Sequence, residues 1–166
     1  MADQIKRGRP YMRHYGIPSD EEGLLSWEWV DQQMAKSRNY WICSTRPDGR
    51  PHAAQVWGVW IDGVLYFSTD REARKARNLA ANPEIVVHLE SGDDAVILEG
   101  AVEVIDEREK LLQLGVGKAY ALKYPPYDPF AADAPVGLWY ALRPRTALAW
   151  EERDFTKSAT RWDFDR

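Results

Sequence analysis

Cysteine is almost absent from this chain of 166 residues, where Cys43 stands alone inside an apolar run. One thiol forms no intramolecular disulfide and builds no multi-cysteine zinc site, and such a position reads as a buried, inert group. Histidine is nearly as scarce: His14, His52 and His88 are far apart and show no metal-ligand spacing. His52 follows the turn at Arg50-Pro51, where it either reaches a ligand or serves as a satisfied structural side chain. No apolar run approaches the about 20 residues of a membrane-spanning helix, and the first ten residues carry no apolar h-region. A soluble cytoplasmic protein without membrane contact is expected. Excess positive charge is missing too: 22 Lys and Arg against 26 Asp and Glu leave −4, which argues against a nucleic-acid binder with a broad basic surface. The motifs of Ser-His-Asp hydrolases, HExxH metalloproteases, Walker loops and GxGxxG dinucleotide folds do not occur.

Aromatic residues are plentiful, with eight Trp and eight Tyr in a chain that is 45% hydrophobic, enough to bury a sizeable core in one compact domain. So many rings can serve a core, a dimer interface or the walls around a planar ligand. Residues 39–90 organise the rest. Residues 40–45 are aromatic and β-branched, and Pro47-Asp48-Gly49 then turns the chain. Residues 53–61 and 64–68 flank Asp62-Gly63, the dipeptide favoured where a hairpin loop needs positive φ at both positions. Ser68-Thr69-Asp70 offers N-cap side chains to a helix over 71–81, with Ala73, Ala76, Leu79 and Ala80 on one face and Asn82-Pro83 as its end. A fourth apolar run follows. The pattern is a β-meander with a basic helix inserted.

The junction of third strand and helix carries the chemistry. A helix amino terminus presents unpaired N–H groups and the positive end of the macrodipole, so it holds an anion before any side chain contributes. Arg74 and Lys75 would add charge-assisted donors, with the Ser68 and Thr69 hydroxyls alongside. A solvated basic face formed by Arg71, Arg74, Lys75 and Arg77 is the bland alternative, and composition by itself favours it.

The ordered set of Asp-Gly turn, Arg-Pro-His, a strand ending in Val-Trp, Leu-Tyr-Phe-Ser-Thr, Ala-Arg-Lys-Ala-Arg-Asn-Leu and Asn-Pro resembles the pyridoxamine 5′-phosphate oxidase-like flavin-binding split barrels. The likeness covers about 39–150, with a further match near Arg161. It implies a mainly β fold with flanking helices, an antiparallel split β-barrel of the FMN-binding type. It also implies that Ser68, Thr69, Arg74 and Lys75 bind the FMN phosphate and that Gln55, Val56 and Trp57 line the isoalloxazine ring. Trp150 and Arg161 match a late Trp and Arg that contact the flavin, commonly across a dimer interface; a core Trp150 and an ion-paired Arg161 are the alternatives. Where the oxidase proper has Arg and Lys in the second strand, this chain has Ala53 and Gly58 or their neighbours, a departure that counts against the pyridoxamine phosphate reaction itself.

Outside that stretch, residues 1–23 read as an arm and 24–166 as a single domain. Ser19 with Glu22 suggests a capping box before an amphipathic helix over 24–36. Residues 95–105 form a long strand with Val96, Leu98, Val102 and Val104 on one face and Gly100 between them. Asp106 with Glu109 opens a helix towards Tyr120 that Gly115 and Gly117 weaken. The proline-rich segment 124–135 is a lid bringing Tyr127 or Phe130 to a substrate, or a rigid surface loop. Strands over 137–142 and 146–151 and a last short one over 160–164 complete the barrel.

The leading expectation is a homodimeric FMN-dependent oxidoreductase that passes hydride to or from a small unsaturated substrate, with the cofactor supplying the chemistry. Two alternatives keep the fold. One uses the deazaflavin coenzyme F420, with Lys6, Arg7, Arg9 and Arg13 as a groove for its anionic tail. The other is a non-catalytic flavin or haem carrier, with His52 or His88 as the axial ligand.

Overall fold

The computed structural model describes residues 5–131 and 137–165. The Pro47-Asp48-Gly49 and Asp62-Gly63 turns join β2 (Asn39–Thr45), β3 (Pro51–Ile61) and β4 (Val64–Thr69) into an antiparallel meander. Asp62 and Gly63 both take positive φ, 49° and 74°, as the hairpin demands. β5 (Glu84–His88) returns to pair with β2, and β6 (Asp94–Ile105) pairs with β5.

β6 serves two sheets. Its first half pairs with β8 (Thr146–Glu151), while Val102 to Ile105 pair with β7 (Leu138–Leu142), which in turn pairs with β4. The strands β2, β3, β4, β7, β6 and β5 thereby close a six-stranded barrel. The split falls at Gly100, where an added Cβ would lie 2.9 Å from the Arg143 carbonyl oxygen, so only glycine lets the two strand ends cross this closely. Val104, beyond the split, is exposed rather than in the core with Val96, Leu98 and Val102. β9 (Thr160–Phe164) extends the sheet beyond β8, and β1 (Ile5–Gly8) pairs with β9 at the edge.

Two apolar layers hold this together. The barrel interior joins Tyr40, Ile42, Val56, Phe67, Leu98, Tyr140 and Trp162 with Val30 and Met34 of α1 (Trp27–Lys36). On the outside of β3, β4 and β7, a second layer gathers Val59, Tyr66 and Trp139 under α3 (Arg108–Gln113) and α4 (Val116–Lys123). Burial of this extent, at roughly 25 cal/mol per Å², supplies the main drive to fold.

Two helix expectations shift. α1 is capped by Ser26, whose hydroxyl accepts from the Trp29 N–H at 3.2 Å, not by Ser19. Gly23, at φ +83°, breaks the chain between the expected capping box and the helix, and Asp20 spends its carboxylate on the Glu22 N–H. Gly115, at φ +74°, divides the segment after Asp106 into α3 and α4. An added Cβ at Gly117 would overlap the Phe130 ring, so that glycine seats the phenyl group. Phe130 and Tyr127 accordingly pack on the second apolar layer; Pro135, which ends the expected lid, lies outside the described residues.

Candidate functional site

β4 leaves β3 after the Gly58 and Phe67 pair and continues against β7, so residues 51–57 of β3 pair on one side only, with β2. Among the described residues no strand covers their other edge. Ser68, half-buried, and Thr69, buried, end β4 opposite this open edge. The chain then turns: the Asp70 carboxylate accepts from the Glu72 N–H at 2.6 Å, and the Ala73 N–H donates to the Asp70 carbonyl at 3.1 Å.

The helix that follows, α2 (Arg74–Ala81), starts three residues later than its sequence suggests because Asp70 closes this turn instead of capping the helix. Its N-cap residue is Ala73, which makes no side-chain cap. The first-turn N–H groups therefore have no side-chain acceptor. Arg74 is exposed, Lys75 half-buried, and among the described residues neither belongs to an ion pair. Asn78, not Ala80, shares the buried face with Ala76 and Leu79, and its amide donates to the Ser44 hydroxyl at 3.0 Å.

The hairpin between β2 and β3 brings more positive charge to the same corner. Its turn is closed by Gly49 N–H to Arg46 carbonyl, 2.8 Å, and Arg46 N–H to Arg50 carbonyl, 2.9 Å. Ser44 lies opposite His52 in the ladder. Burial first, then the charges of Arg46, Lys75 and Arg74, holds the His52 imidazole below its ordinary pKa. The nearby Asp48 carboxylate is engaged by Arg50 at 2.7 Å, which pulls its pKa below the usual range, with Arg46 and Arg74 contributing at longer reach. Three side-chain atoms of this region are closed off from solvent without a partner, Arg46 Nε, His52 Nδ1 and Asn78 Oδ1.

Ser68, Thr69, Arg74 and Lys75 are thus brought to one corner. The donor set suits a phosphate: open helix N–H groups, hydroxyls, a guanidinium and an ammonium. Gln55, Val56 and Trp57 run along the open edge with side chains on both faces. Val56 points into the core, Gln55 outward, and Trp57 stacks on Tyr124 at 4.5 Å and 5° between ring planes. A flat ring at this edge would meet mainly the backbone of these residues.

Trp150 and Arg161 lie elsewhere in the chain. They belong to β8 and β9, with β6, β5 and β2 between them and β3. Trp150, half-buried, meets Phe155 edge-on at 5.7 Å, and Arg161 pairs with Asp163 at 2.6 Å. Arg161 nevertheless shares one cross-strand row with Gln55 on the outer face of the sheet, the row passing through Trp41, His88, Ile97 and Leu148. Of the amino-terminal cations, Arg9 is spent on the carbonyls of Asp20, Glu22, Lys157 and Ala159, and Arg7 faces Glu21 at 3.9 Å.

Sequence reasoning omits Arg46 from the corner and leaves His52 undecided. The signal is in the turn: Pro47-Asp48-Gly49 sets a register that places residue 46 opposite 50 and residue 44 opposite 52. A second cationic group, Lys123 with Arg38, is equally unannounced. Lys123 Nζ donates to Tyr40 Oη at 2.6 Å and to the Gly58 carbonyl at 3.1 Å, and burial with the charge of Arg38 lowers its pKa to about 8.

Among the described residues no helix is long and apolar enough to cross a membrane, and no group of three or more His, Cys, Asp or Glu is placed to hold a metal ion. The family model for pyridoxamine 5′-phosphate oxidase matches residues 26–150. No curated protein matches. Among solved structures, a conserved hypothetical protein from Mycobacterium tuberculosis is 25% identical, with a TM-score of 0.68 over 81% of this chain and 89% of that one. An F420 reductase is 23% identical, with a TM-score of 0.54 over 70% of this chain and 94% of that one. HutZ, the haem storage protein of Vibrio cholerae, is 16% identical, with a TM-score of 0.57 over 71% and 86%. The matched span takes in the meander, the corner at α2 and the strands that close the barrel, and on that ground the chain belongs to the pyridoxamine 5′-phosphate oxidase-like split-barrel family.

Proposed function

We propose that this chain is an FMN-dependent oxidoreductase that docks the cofactor phosphate at the amino end of α2 and acts on a small unsaturated substrate. The observation that carries the reading is the uncapped first turn of α2 beside Ser68, Thr69, Arg74 and Lys75. FMN, when bound, supplies reversible hydride-level redox chemistry at its ring. The protein has four tasks. Arg74, Lys75 and the helix N–H groups neutralise the phosphate; Ser68 and Thr69 fix its position; the backbone of residues 55–57 orients the ring along the open edge; and neighbouring rings limit water at the site.

Homodimerisation belongs to the same reading. The outer row Trp41, His88, Ile97 and Leu148 is half-buried, and Trp41 and His88 stack at 6.2 Å and 7°. A second copy laid on this face would bring its own Trp150 and Arg161 towards the open edge of the first, which no single chain achieves. Sedimentation of wild type and Trp41→Glu tests this: a dimer that the charge dissociates is expected, and a monomeric wild type would overturn it.

Deazaflavin is less well served, because Arg9 and Arg7, two of the four cations of its proposed tail groove, are engaged within the fold. The absorbance spectrum and mass of the co-purifying chromophore test the cofactor, and turnover with each nicotinamide cofactor tests catalysis. Flavin absorbance with FMN mass and measurable reduction is the expected result; a haem spectrum, or flavin binding without turnover, would contradict the enzyme assignment.

A further inference from the structure

We propose that Arg46 and His52 are two additional ligands of the anion held at the amino end of α2, Arg46 through Nε and His52 through Nδ1, and that together they select a phosphate monoester dianion. The assignment rests on reading this corner as a phosphate site, and it adds a second wall to it. Both nitrogens are shut off from solvent and neither has a hydrogen-bond partner, a state that costs free energy unless a ligand relieves it.

Two nearby acceptors are engaged, while the third buried atom without a partner, Asn78 Oδ1, is itself an acceptor. Asp48, the carboxylate that interacts with Arg46, is held by Arg50 at 2.7 Å, and Ser44, across the ladder from His52, takes its hydrogen bond from Asn78. The charges of Arg46, Arg74 and Lys75 all act on His52, so the hairpin and the start of α2 bring their cations to one neighbourhood. A planar carboxylate presents its acceptors in one plane. A phosphate monoester presents three terminal oxygens in a tetrahedral spread, one set for the helix N–H groups with Arg74 and Lys75, another for the hairpin donors. Two negative charges also answer a corner this rich in cations better than one.

The experiment compares wild type, Arg46→Ala, His52→Phe and His52→Gln, each first checked for native circular dichroism and melting. Affinity for FMN and for riboflavin is measured by fluorescence titration, and affinity for inorganic phosphate by calorimetry at constant ionic strength. Arg46→Ala and His52→Phe are expected to weaken FMN and inorganic phosphate roughly tenfold or more while leaving riboflavin unchanged, in line with the loss of a charge-assisted bond. His52→Gln, which keeps an N–H donor, should recover part of the loss. Folded variants that bind FMN and phosphate as wild type does would overturn the assignment and leave the FMN reading standing. Wild type that takes phosphate, loses it with Arg46→Ala and ignores FMN would do the reverse. Wild type that binds neither would overturn both.

Discussion

Two groups of cations flank β3, and they are satisfied in opposite ways. Near its middle, Lys123 is bonded to Tyr40 and Gly58 and lies 4.6 Å from the centre of the Tyr40 ring, while Arg38 sits 5.4 Å from the Trp57 ring and 5.3 Å from that of Tyr124. Tyr124 completes the group: its hydroxyl accepts from the Gly58 N–H at 2.9 Å and lies 2.6 Å from the Arg38 carbonyl. Near the start of β3, Arg46, Arg74, Lys75 and His52 crowd together with donors unused. Positive charge is present in both places. Only the second leaves buried nitrogens unpaired, Arg46 Nε and His52 Nδ1, which is what an external anion would require. The first is a clasp that ties α4 to β3.

The sharpest way to break this contrast is to remove one charge from the open corner. Arg74→Ala should weaken FMN binding by about 1–3 kcal/mol, roughly 5- to 150-fold, while unfolding in urea shifts by less than about 0.5 kcal/mol. A change confined to stability would return Arg74 to the solvated surface. In the clasp the opposite holds. Gly58→Ala would put a Cβ 2.9 Å from the Tyr66 carbonyl oxygen, a backbone atom that cannot swing aside, and should destabilise by about 1–3 kcal/mol. Tyr124→Phe should cost about 1–2 kcal/mol, because Gly58 N–H is then buried without its acceptor. Equilibrium denaturation measures both.

The smallest effect is a pH dependence. The folded pKa of Lys123 lies below that of an unfolded lysine, so above about pH 8 the folded state releases a proton that the unfolded chain still holds. Stability contributed by this residue rises with pH from about 8 towards the ordinary lysine range. Since Lys123 is only partly buried, screening limits the gain to about 1 kcal/mol. Lys123→Met should flatten that slope, and an unchanged slope would mean the amine titrates as a surface lysine.

Much of the fold was legible in local signals. Asp62-Gly63 demanded a tight hairpin, alternating apolar residues marked the strands, and Gly115 weakened its helix at the point where it breaks. The corner at α2 was legible only in part: the sequence places Ser68, Thr69, Arg74 and Lys75 within eight residues of one another, although composition by itself favours a solvated basic face. Three things were not. Ser19 and Glu22 have capping-box spacing, yet the positive φ of Gly23 depends on its packing against Lys157, a contact far along the chain. Tyr127 and Phe130 suited a lid as well as a rigid surface loop, and their packing on the second apolar layer, with Phe130 seated at Gly117, depends on residues distant in the chain. Trp150 and Arg161 fall four and five strands away from β3 because β6 divides between two sheets, a topology that no window of sequence reveals.

The central claim is that the corner between β4 and α2 holds a phosphate, and the difference between FMN and riboflavin reads it most directly, since the two share the ring and differ in that group. Fluorescence titration of wild type and Arg74→Ala with both compounds should show a strong preference of wild type for FMN that Arg74→Ala erodes, with riboflavin affinity the same in each. Equal affinity of wild type for FMN and riboflavin would contradict the account.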